Sequence, residues 1–177
     1  MGEQTQTIPL LMIYTGNGKG KTSAAVGQAV RAAGAGLKVA FGQFLKRDNL
    51  AGEQIILKTI LDKDFLASGN GFFRNKKDLP RHRESAVRLI NWVEEKIKNG
   101  YQLLVLDEAV YALKMELITR DELTEIIDKC ALHQVNLVLT GRNAPDWLMD
   151  KADMVSELVE IKHHFHKNIP ASKGIEY

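Results

Sequence analysis

The chain has 177 residues, of which 45% are hydrophobic and 26% are charged, and its formal net charge is +2. These values are ordinary for one soluble globular domain, and they exclude a polybasic nucleic-acid-binding protein as the leading interpretation. The single cysteine, Cys130, excludes an intramolecular disulfide and a cysteine-based zinc site. We therefore expect one domain over residues 1–177, with no nucleic acid among its partners.

The first residues argue against a membrane or secreted protein. Residues 1–6 are polar and acidic, whereas a signal peptide starts with a basic stretch before an apolar core. The first apolar run, Ile8 to Ile13, is much shorter than the roughly 20 residues of a membrane span. We therefore expect a cytoplasmic protein with no membrane partner.

The first half of the chain alternates short apolar runs with amphipathic stretches. The predicted elements are a buried strand over Leu10–Tyr14, a helix from Lys21 to about Ala33, a strand over Lys38–Phe44 and a helix over Gly52–Leu61. Ile56 and Ile60 lie four residues apart in the second helix. Residues 62–82 show no clear periodicity, and we expect an irregular segment there.

The second half continues the alternation. The predicted elements are a helix from about Glu84 to Lys98, a strand over Leu103–Leu106, a helix opened by the capping box of Thr119 and Glu122, a strand over Val135–Thr140, a short helix from Pro145 through Lys151 and a last strand over Val155–Ile161. Strands that alternate with helices predict a mostly parallel sheet of about six strands with helices on both faces. Ligands of such α/β sheets bind at the carboxyl ends of the strands.

A glycine-rich loop follows the first predicted strand and opens the first helix. Its residues, 15–22, read Thr-Gly-Asn-Gly-Lys-Gly-Lys-Thr, and we call them the phosphate loop. Glycines allow successive N–H groups to turn toward one anion, and the helix N-terminus adds a positive dipole end. Lys21 supplies a charge for phosphates, and the Thr22 hydroxyl can hold a divalent metal. Thr15 stands where the usual pattern has its first glycine, so we expect a variant loop. The alternative, a glycine-rich turn with an accidental Gly-Lys-Thr, is less favoured because strand, loop and helix agree.

Two acids, Asp107 and Glu108, end the strand over Leu103–Leu106. An acid in this position of a phosphate-loop protein helps to hold magnesium, and the alternative is an ordinary strand that ends in two acids. Together with the phosphate loop, they indicate a nucleoside triphosphate with Mg²⁺ or Mn²⁺. They leave the reaction open, since a hydrolase would use Glu108 to polarise water and a kinase would need an acceptor site.

The wider sequence resembles the phosphate-loop corrinoid adenosyltransferases, that is, the ATP:cob(I)alamin adenosyltransferase family. The resemblance runs from about residue 12 to the last residue. Its blocks are the phosphate loop, Gln43-Phe44-Leu45-Lys46, Val105-Leu106-Asp107-Glu108, Leu139-Thr140-Gly141-Arg142, residues 152–158, Lys162-His163 and Gly174-Ile175-Glu176-Tyr177. The resemblance implies a three-layer phosphate-loop NTPase fold of RecA type.

The resemblance also implies a reaction. Cobalt in the +1 state attacks the C5′ carbon of ATP, the corrinoid takes the 5′-deoxyadenosyl group, and the whole triphosphate leaves. The family positions found here are nucleotide-binding residues, metal-binding residues and residues that act in the reaction. The nucleotide-binding set is Gly16, Asn17, Gly18, Lys19, Gly20, Lys21, Thr22, Ser23 and Arg142; the metal-binding set is Thr22, Asp107 and Glu108; the catalytic set is Lys21, Phe72 and Glu108. The cofactor and substrates implied are Mg²⁺ (or Mn²⁺), ATP and a reduced corrinoid.

The corrinoid side departs from the family pattern in one place. Phe72 matches the family phenylalanine that lies against the lower face of the ring, whereas Arg74 replaces the family tryptophan. Phe73 is a candidate to compensate, and the alternative is that Phe72 and Phe73 are core residues beneath a loop. The family further implies a homodimer and an electron donor such as a flavoprotein.

Three alternatives stay open beside this interpretation. His163, His164 and His166 suggest a metal cluster, but at the end of a strand the three need not converge. A second alternative is that the protein is a phosphate-loop ATPase or a small-molecule kinase, which would release ADP or phosphate instead of triphosphate. A third alternative is a corrinoid carrier that binds nucleotide and corrinoid but catalyses no reaction.

Overall fold

The computed structural model describes residues 8–71 and 76–176. Within them, six parallel strands form one sheet in the order β3-β2-β4-β5-β1-β6. The strands are β1 (Leu11–Thr15), β2 (Val39–Gln43), β3 (Phe65–Ala67), β4 (Leu103–Asp107), β5 (Asn136–Thr140) and β6 (Met154–Glu157). The helices are α1 (Lys21–Gly34), α2 (Gly52–Leu61), α3 (Leu79–Lys98), α4 (Ala109–Lys114), α5 (Arg120–Leu132) and α6 (Asp146–Met149), with 3₁₀ turns at Asp62–Asp64, Lys76–Asp78 and His164–Lys167. The prediction of an α/β fold with about six mostly parallel strands is confirmed.

The sheet separates two hydrophobic clusters, because side chains alternate across a strand. In β1, Leu11 and Ile13 belong to the cluster under α3 and α5, whereas Met12 belongs to the cluster under α1 and α2. Helices therefore cover both faces of the sheet, as in the three-layer fold that the resemblance implied. Cys130 lies in the first cluster, and burial raises the pKa of its thiol to about 12.

The capping box was predicted correctly. The Thr119 side chain accepts a hydrogen bond from the N–H of Glu122 at 3.1 Å, and the Glu122 carboxylate accepts one from the N–H of Thr119 at 2.8 Å. The carboxylate of Glu122 also receives two hydrogen bonds from Arg83 of α3. The start of α5 is thereby joined to α3 on the same face of the sheet.

Two elements, β3 and α4, were not predicted, and the start of α3 and the end of β6 were predicted wrongly. Strand β3 and the start of α3 lie inside residues 62–82, where we expected irregular structure. A strand of three residues is too short to show a period, and Pro80 in the first turn of α3 hides the helical pattern before Glu84. The last strand ends at Glu157 instead of Ile161, because the Leu158 carbonyl turns to the phosphate loop and accepts a hydrogen bond from Gly18.

Helix α2 has an apolar side that faces outward. Ile56 and Ile60 are 55% and 44% exposed, whereas the buried residues of this helix are Gln54, Leu57 and Leu61. The spacing of four therefore identified the helix but not its inner face. None of the helices in residues 8–71 and 76–176 combines the length and hydropathy that crossing a bilayer needs.

Candidate functional site

The functional groups meet at the carboxyl edge of the sheet. The phosphate loop follows β1, Lys46 follows β2, Glu108 follows β4 and Arg142 follows β5. These strands are neighbours in the parallel sheet, so residues from four distant parts of the chain share one edge.

Two glycines give the phosphate loop its shape. Gly16 has φ +92° and Gly20 has φ +114°, which a residue with a side chain adopts only with strain. The segment after β6 also lies so close that a Cβ at Gly18 would come within 2.7 Å of the Leu158 carbonyl oxygen. The displaced first glycine has a physical reason as well, because the Thr15 hydroxyl accepts a hydrogen bond from the N–H of Ala144 at 3.1 Å. That the loop is a variant in how it binds phosphates stays a prediction.

Lys21 lies across the inside of this loop. Its ammonium donates to the carbonyl oxygens of Gly16 at 2.8 Å and Gly18 at 2.7 Å, and the residue is only 9% exposed. Burial and the nearby Arg142 guanidinium lower the pKa of Lys21. A buried ammonium at the N-terminus of α1 is suited to bind a phosphate chain.

Asp107 is the fully buried centre of a hydrogen-bond network. Its Oδ1 accepts from the hydroxyls of Thr140 at 2.6 Å and Thr22 at 3.0 Å. Its Oδ2 accepts from the amide of Gln43 at 3.0 Å and from the ammonium of Lys46 at 3.0 Å. Four donors fix the position of this carboxylate beside Thr22.

Lys46 places a cation among oxygen ligands. Its Nζ lies 3.2 Å from the Thr22 hydroxyl and 3.1 Å from a carboxylate oxygen of Glu53, in addition to its contact with Asp107. Burial lowers the pKa of Lys46, but the charges and hydrogen bonds of Asp107 and Glu53 outweigh that effect and raise it overall. Hydroxyl and carboxylate oxygens are the ligands that Mg²⁺ prefers, and the ammonium shows that they accommodate a cation. The residues therefore fit the divalent metal that the resemblance implied.

Glu108 faces open space beside this network. Its backbone has φ +61°, and its N–H donates to the Thr140 hydroxyl at 2.9 Å. Burial and the neighbouring Asp107 charge raise the pKa of the Glu108 carboxyl. The Thr140 hydroxyl thus contacts both the carboxylate of Asp107 and the backbone of Glu108 at the end of β4.

Among the cavities at this edge, two that adjoin the phosphate loop and Glu108 share part of their walls. The phosphate cavity, about 540 Å³, is lined by the phosphate loop from Gly18 through Thr22 and by Ser23 at the start of α1. The second cavity, about 670 Å³, is lined by Asn17, Leu45, Arg47, Leu50, Gly71, Tyr111 and Lys114 among others. Lys46, Glu53, Glu108, Arg142 and Glu176 line both. A ligand in one cavity can therefore approach a ligand in the other.

Residues 174–176, which we call the C-terminal segment, cover the phosphate loop. Lys19 donates to the carbonyl of Ile175 at 2.5 Å and pairs with the carboxylate of Glu176 at 3.2 Å. The Lys19 side chain therefore contacts the C-terminal segment, whereas the Lys21 side chain contacts the phosphate loop itself.

The three histidines do not form one cluster. His166 contacts Glu160 at 2.7 Å, whereas His163 and His164 approach Glu176. The Nδ1 of His163 accepts a hydrogen bond from the N–H of Phe165 at 3.2 Å, so the neutral ring carries its proton on Nε2. Glu176 is already paired with Lys19. These contacts disfavour a metal at this place.

The structure brings together most of the predicted site residues and adds four others. Phe72, Phe73 and Arg74 lie outside the described residues. Gln43, Lys46, Glu53 and Thr140 contact the predicted groups but were not assigned a role from the sequence. The available signal was position, since Gln43 and Thr140 end the two strands that flank β4.

Comparison with known proteins identifies the relatives of this chain. The sequence model of the family described as ATP:corrinoid adenosyltransferase BtuR/CobO/CobP matches residues 7–177. A corrinoid adenosyltransferase of Sinorhizobium sp. is 33% identical over 180 residues, which cover 100% of this chain and 84% of that protein. The corrinoid adenosyltransferase of Escherichia coli K12 is 32% identical, over 95% of this chain and 85% of its own length. That of Pseudomonas aeruginosa is 34% identical, over 95% and 83%.

Proposed function

The chain belongs to the ATP:corrinoid adenosyltransferase family, and we propose that its two joined cavities hold ATP and the corrinoid for the transfer. The enzyme transfers the 5′-deoxyadenosyl group of ATP to the cobalt of a corrinoid. The two cavities share a wall, and this observation carries their assignment. The C5′ carbon of ATP and the cobalt have to meet for the transfer, so their binding sites must adjoin.

The phosphate cavity suits the leaving triphosphate. In the transfer, a cobalt–carbon bond forms, the bond between C5′ and the triphosphate oxygen breaks, and its electron pair leaves with the triphosphate. Catalysis then requires donors near that growing charge, which Lys21, Arg142 and the backbone N–H groups at the start of α1 supply. A general base is not required, because the cobalt nucleophile has no proton to lose.

We place a divalent cation, Mg²⁺ or Mn²⁺, at Thr22, Asp107 and Glu108. When bound, such an ion neutralises charge on the triphosphate. The hydrogen bonds from Gln43 and Thr140 hold the Asp107 carboxylate in a fixed orientation for this purpose. Thr22 and Asp107 are already in contact, and Glu108 lies at the wall between the cavities.

The second cavity suits the corrinoid. Leu45, Leu50 and Tyr111 offer apolar surface to a large flat ring, and Arg47 and Lys114 offer donors to its polar substituents. Gly71 lines this cavity and directly precedes Phe72 in the chain. That adjacency supports the assignment of Phe72 to the lower face of the ring.

An anaerobic assay tests this function. Chemically reduced cob(I)alamin, ATP and Mg²⁺ are mixed with the protein, the corrinoid spectrum is followed, and the phosphate product is identified. We expect a light-sensitive alkylcobalamin spectrum with release of triphosphate. An unchanged corrinoid with ADP and phosphate would instead identify an ATPase or a kinase.

The resemblance supports three further proposals about how the enzyme works. We propose that it acts as a homodimer, that a flavoprotein supplies the electrons that reduce cobalt, and that it acts in the cytoplasm. Light scattering tests the dimer. Replacement of the chemical reductant in the assay by a reduced flavoprotein tests the electron donor, and cell fractionation tests the location.

A further inference from the structure

The side chain of Lys46 takes a place that a metal would need. Its ammonium contacts the Thr22 hydroxyl and the Asp107 carboxylate, which are two of the three groups to which we assign the metal. Two cations that share the same oxygens lie only a few ångströms apart and repel each other strongly in a poorly hydrated site. Lys46 and a divalent cation therefore compete for these oxygens.

The backbone around Lys46 is held so that the side chain points inward. Leu45 has φ +63°, an unfavourable conformation for a residue with a branched side chain. The neighbouring N–H of Phe44 donates to the Asp107 carbonyl at 3.0 Å, and the carbonyl of Lys46 accepts from Gly69 at 2.9 Å. A strained turn that is fixed on both sides indicates that the position of this ammonium is built into the fold.

We propose that Lys46 is a tethered cation that occupies the metal-facing oxygens of Thr22 and Asp107 and leaves them when metal and ATP bind. The inference rests on the proposed metal site. The ammonium prevents repulsion among Asp107, Glu53 and Glu108 while the nucleotide is absent. Because the metal has to displace the ammonium, it binds more weakly than it would bind to the same oxygens without Lys46.

Displacement also gives Lys46 a second position. The residue lines both cavities, and so does Glu53, its partner at 3.1 Å on the first turn of α2. The ammonium can therefore keep Glu53 as a partner when it leaves Thr22 and Asp107. Binding of metal and ATP would thus move the ammonium to the wall between the phosphate cavity and the second cavity.

Titration with Mn²⁺, followed by the electron paramagnetic resonance signal of the free ion, tests the competition. It is done without nucleotide and again with ATP, and no corrinoid is present. We expect Lys46→Met to bind Mn²⁺ about tenfold more tightly than the unaltered protein, a change of ~1.4 kcal/mol. Lys46→Arg keeps the charge and is the matched control, for which we expect no gain.

Asp107 keeps three donors in Lys46→Met, namely Thr22, Gln43 and Thr140, so we expect the variant to fold, and thermal unfolding checks this. Equal or weaker Mn²⁺ binding by folded Lys46→Met would overturn the inference. Thr22→Ala tests the metal site separately: if it binds Mn²⁺ with ATP as well as the unaltered protein does, the proposed metal site is wrong whatever Lys46 does.

Discussion

The two joined cavities differ in how their walls are held in place. In the phosphate cavity, Lys21, Asp107 and Thr22 are each fixed by at least two hydrogen bonds to groups on the sheet or the loop. In the second cavity, Leu50 and Lys114 project from a loop and from a short helix. A small, highly charged ligand requires donors at set positions, whereas a broad ring is held by surface contact. The difference predicts that substitutions in the two walls have effects of different size and kind.

The largest effect is expected for Lys21→Ala. Loss of the ammonium inside the phosphate loop removes a fixed donor to the leaving triphosphate, so adenosyl transfer should fall on the order of 10²- to 10³-fold. The rate of alkylcobalamin formation under saturating ATP measures this. Lys19→Ala is the matched control, because Lys19 contacts the C-terminal segment instead, and a comparable loss in both variants would contradict the distinction.

A second prediction concerns Thr140→Val, which keeps the shape and removes one hydroxyl. That hydroxyl donates to Asp107 and accepts from the N–H of Glu108, so both acids lose a fixed position. We expect a loss of about 1–3 kcal/mol in the free energy of unfolding, and weaker Mn²⁺ binding in the presence of ATP. Chemical denaturation and the same Mn²⁺ titration measure the two effects. Unchanged metal binding would show that the hydroxyl does not orient the acids.

Leu50→Asp is expected to act on the second cavity alone. Leu50 is 63% exposed, so we expect the fold to tolerate the change. The substitution removes apolar surface of the cavity wall that would contact the corrinoid ring. We expect the KM for the corrinoid to rise about tenfold, in line with the loss of one buried aliphatic side chain, while the KM for ATP stays constant.

Ile55→Asp is the control for Leu50→Asp. Ile55 is 65% exposed on the neighbouring helix α2 and lies outside both cavity walls. An equal rise in corrinoid KM for both variants would mean that general surface charge, and not the cavity, causes the effect. A rise in the ATP KM of Leu50→Asp would mean that the two cavities do not act as separate binding sites.

The smallest effect is expected for Glu176→Gln at the edge of the phosphate cavity. The pair between Lys19 and Glu176 is partly solvated, and pairs of this kind contribute less than about 1 kcal/mol. We expect a two- to threefold change in the KM for ATP, about the size that such a pair allows. The difference from the unaltered protein should shrink as salt is added, because added ions screen the charges. A change larger than that of Thr140→Val would assign the C-terminal segment a direct role in nucleotide binding.

The parts of the molecule that could be predicted are those with a local pattern. The phosphate loop, the capping box at Thr119 and the strand that ends in Asp107 each carry their signal within a few residues. Strand β3 has three residues and is stabilised by its pairing with β2, so no local pattern marks it. Helix α2 shows a further limit, because polar Gln54 fills the inner position and the isoleucines lie outside.

The candidate site followed the same rule. Lys21, Thr22, Asp107 and Arg142 could be named because each follows a recognisable strand or loop. Lys46 lies in one of the blocks that resemble the family, and Glu53 does not. The role of both residues depends on how the turn after β2 folds back on β4. Contacts between distant segments determine these positions, and one sequence does not encode them in any local spacing.

The place of β1 between β5 and β6 has a consequence for the folding of the protein during its synthesis. Leu10, at its start, donates to Asn136, 126 residues farther along the chain, and β1 pairs only with β5 and β6 among the described strands. On the ribosome, the phosphate loop therefore emerges long before β5 and β6, which are the strand partners of β1 among the described strands. Pairing over such a distance slows folding, and the unpaired apolar β1 is an exposed aggregation risk in the meantime. The nucleotide site consequently cannot form completely until β5 has been synthesised.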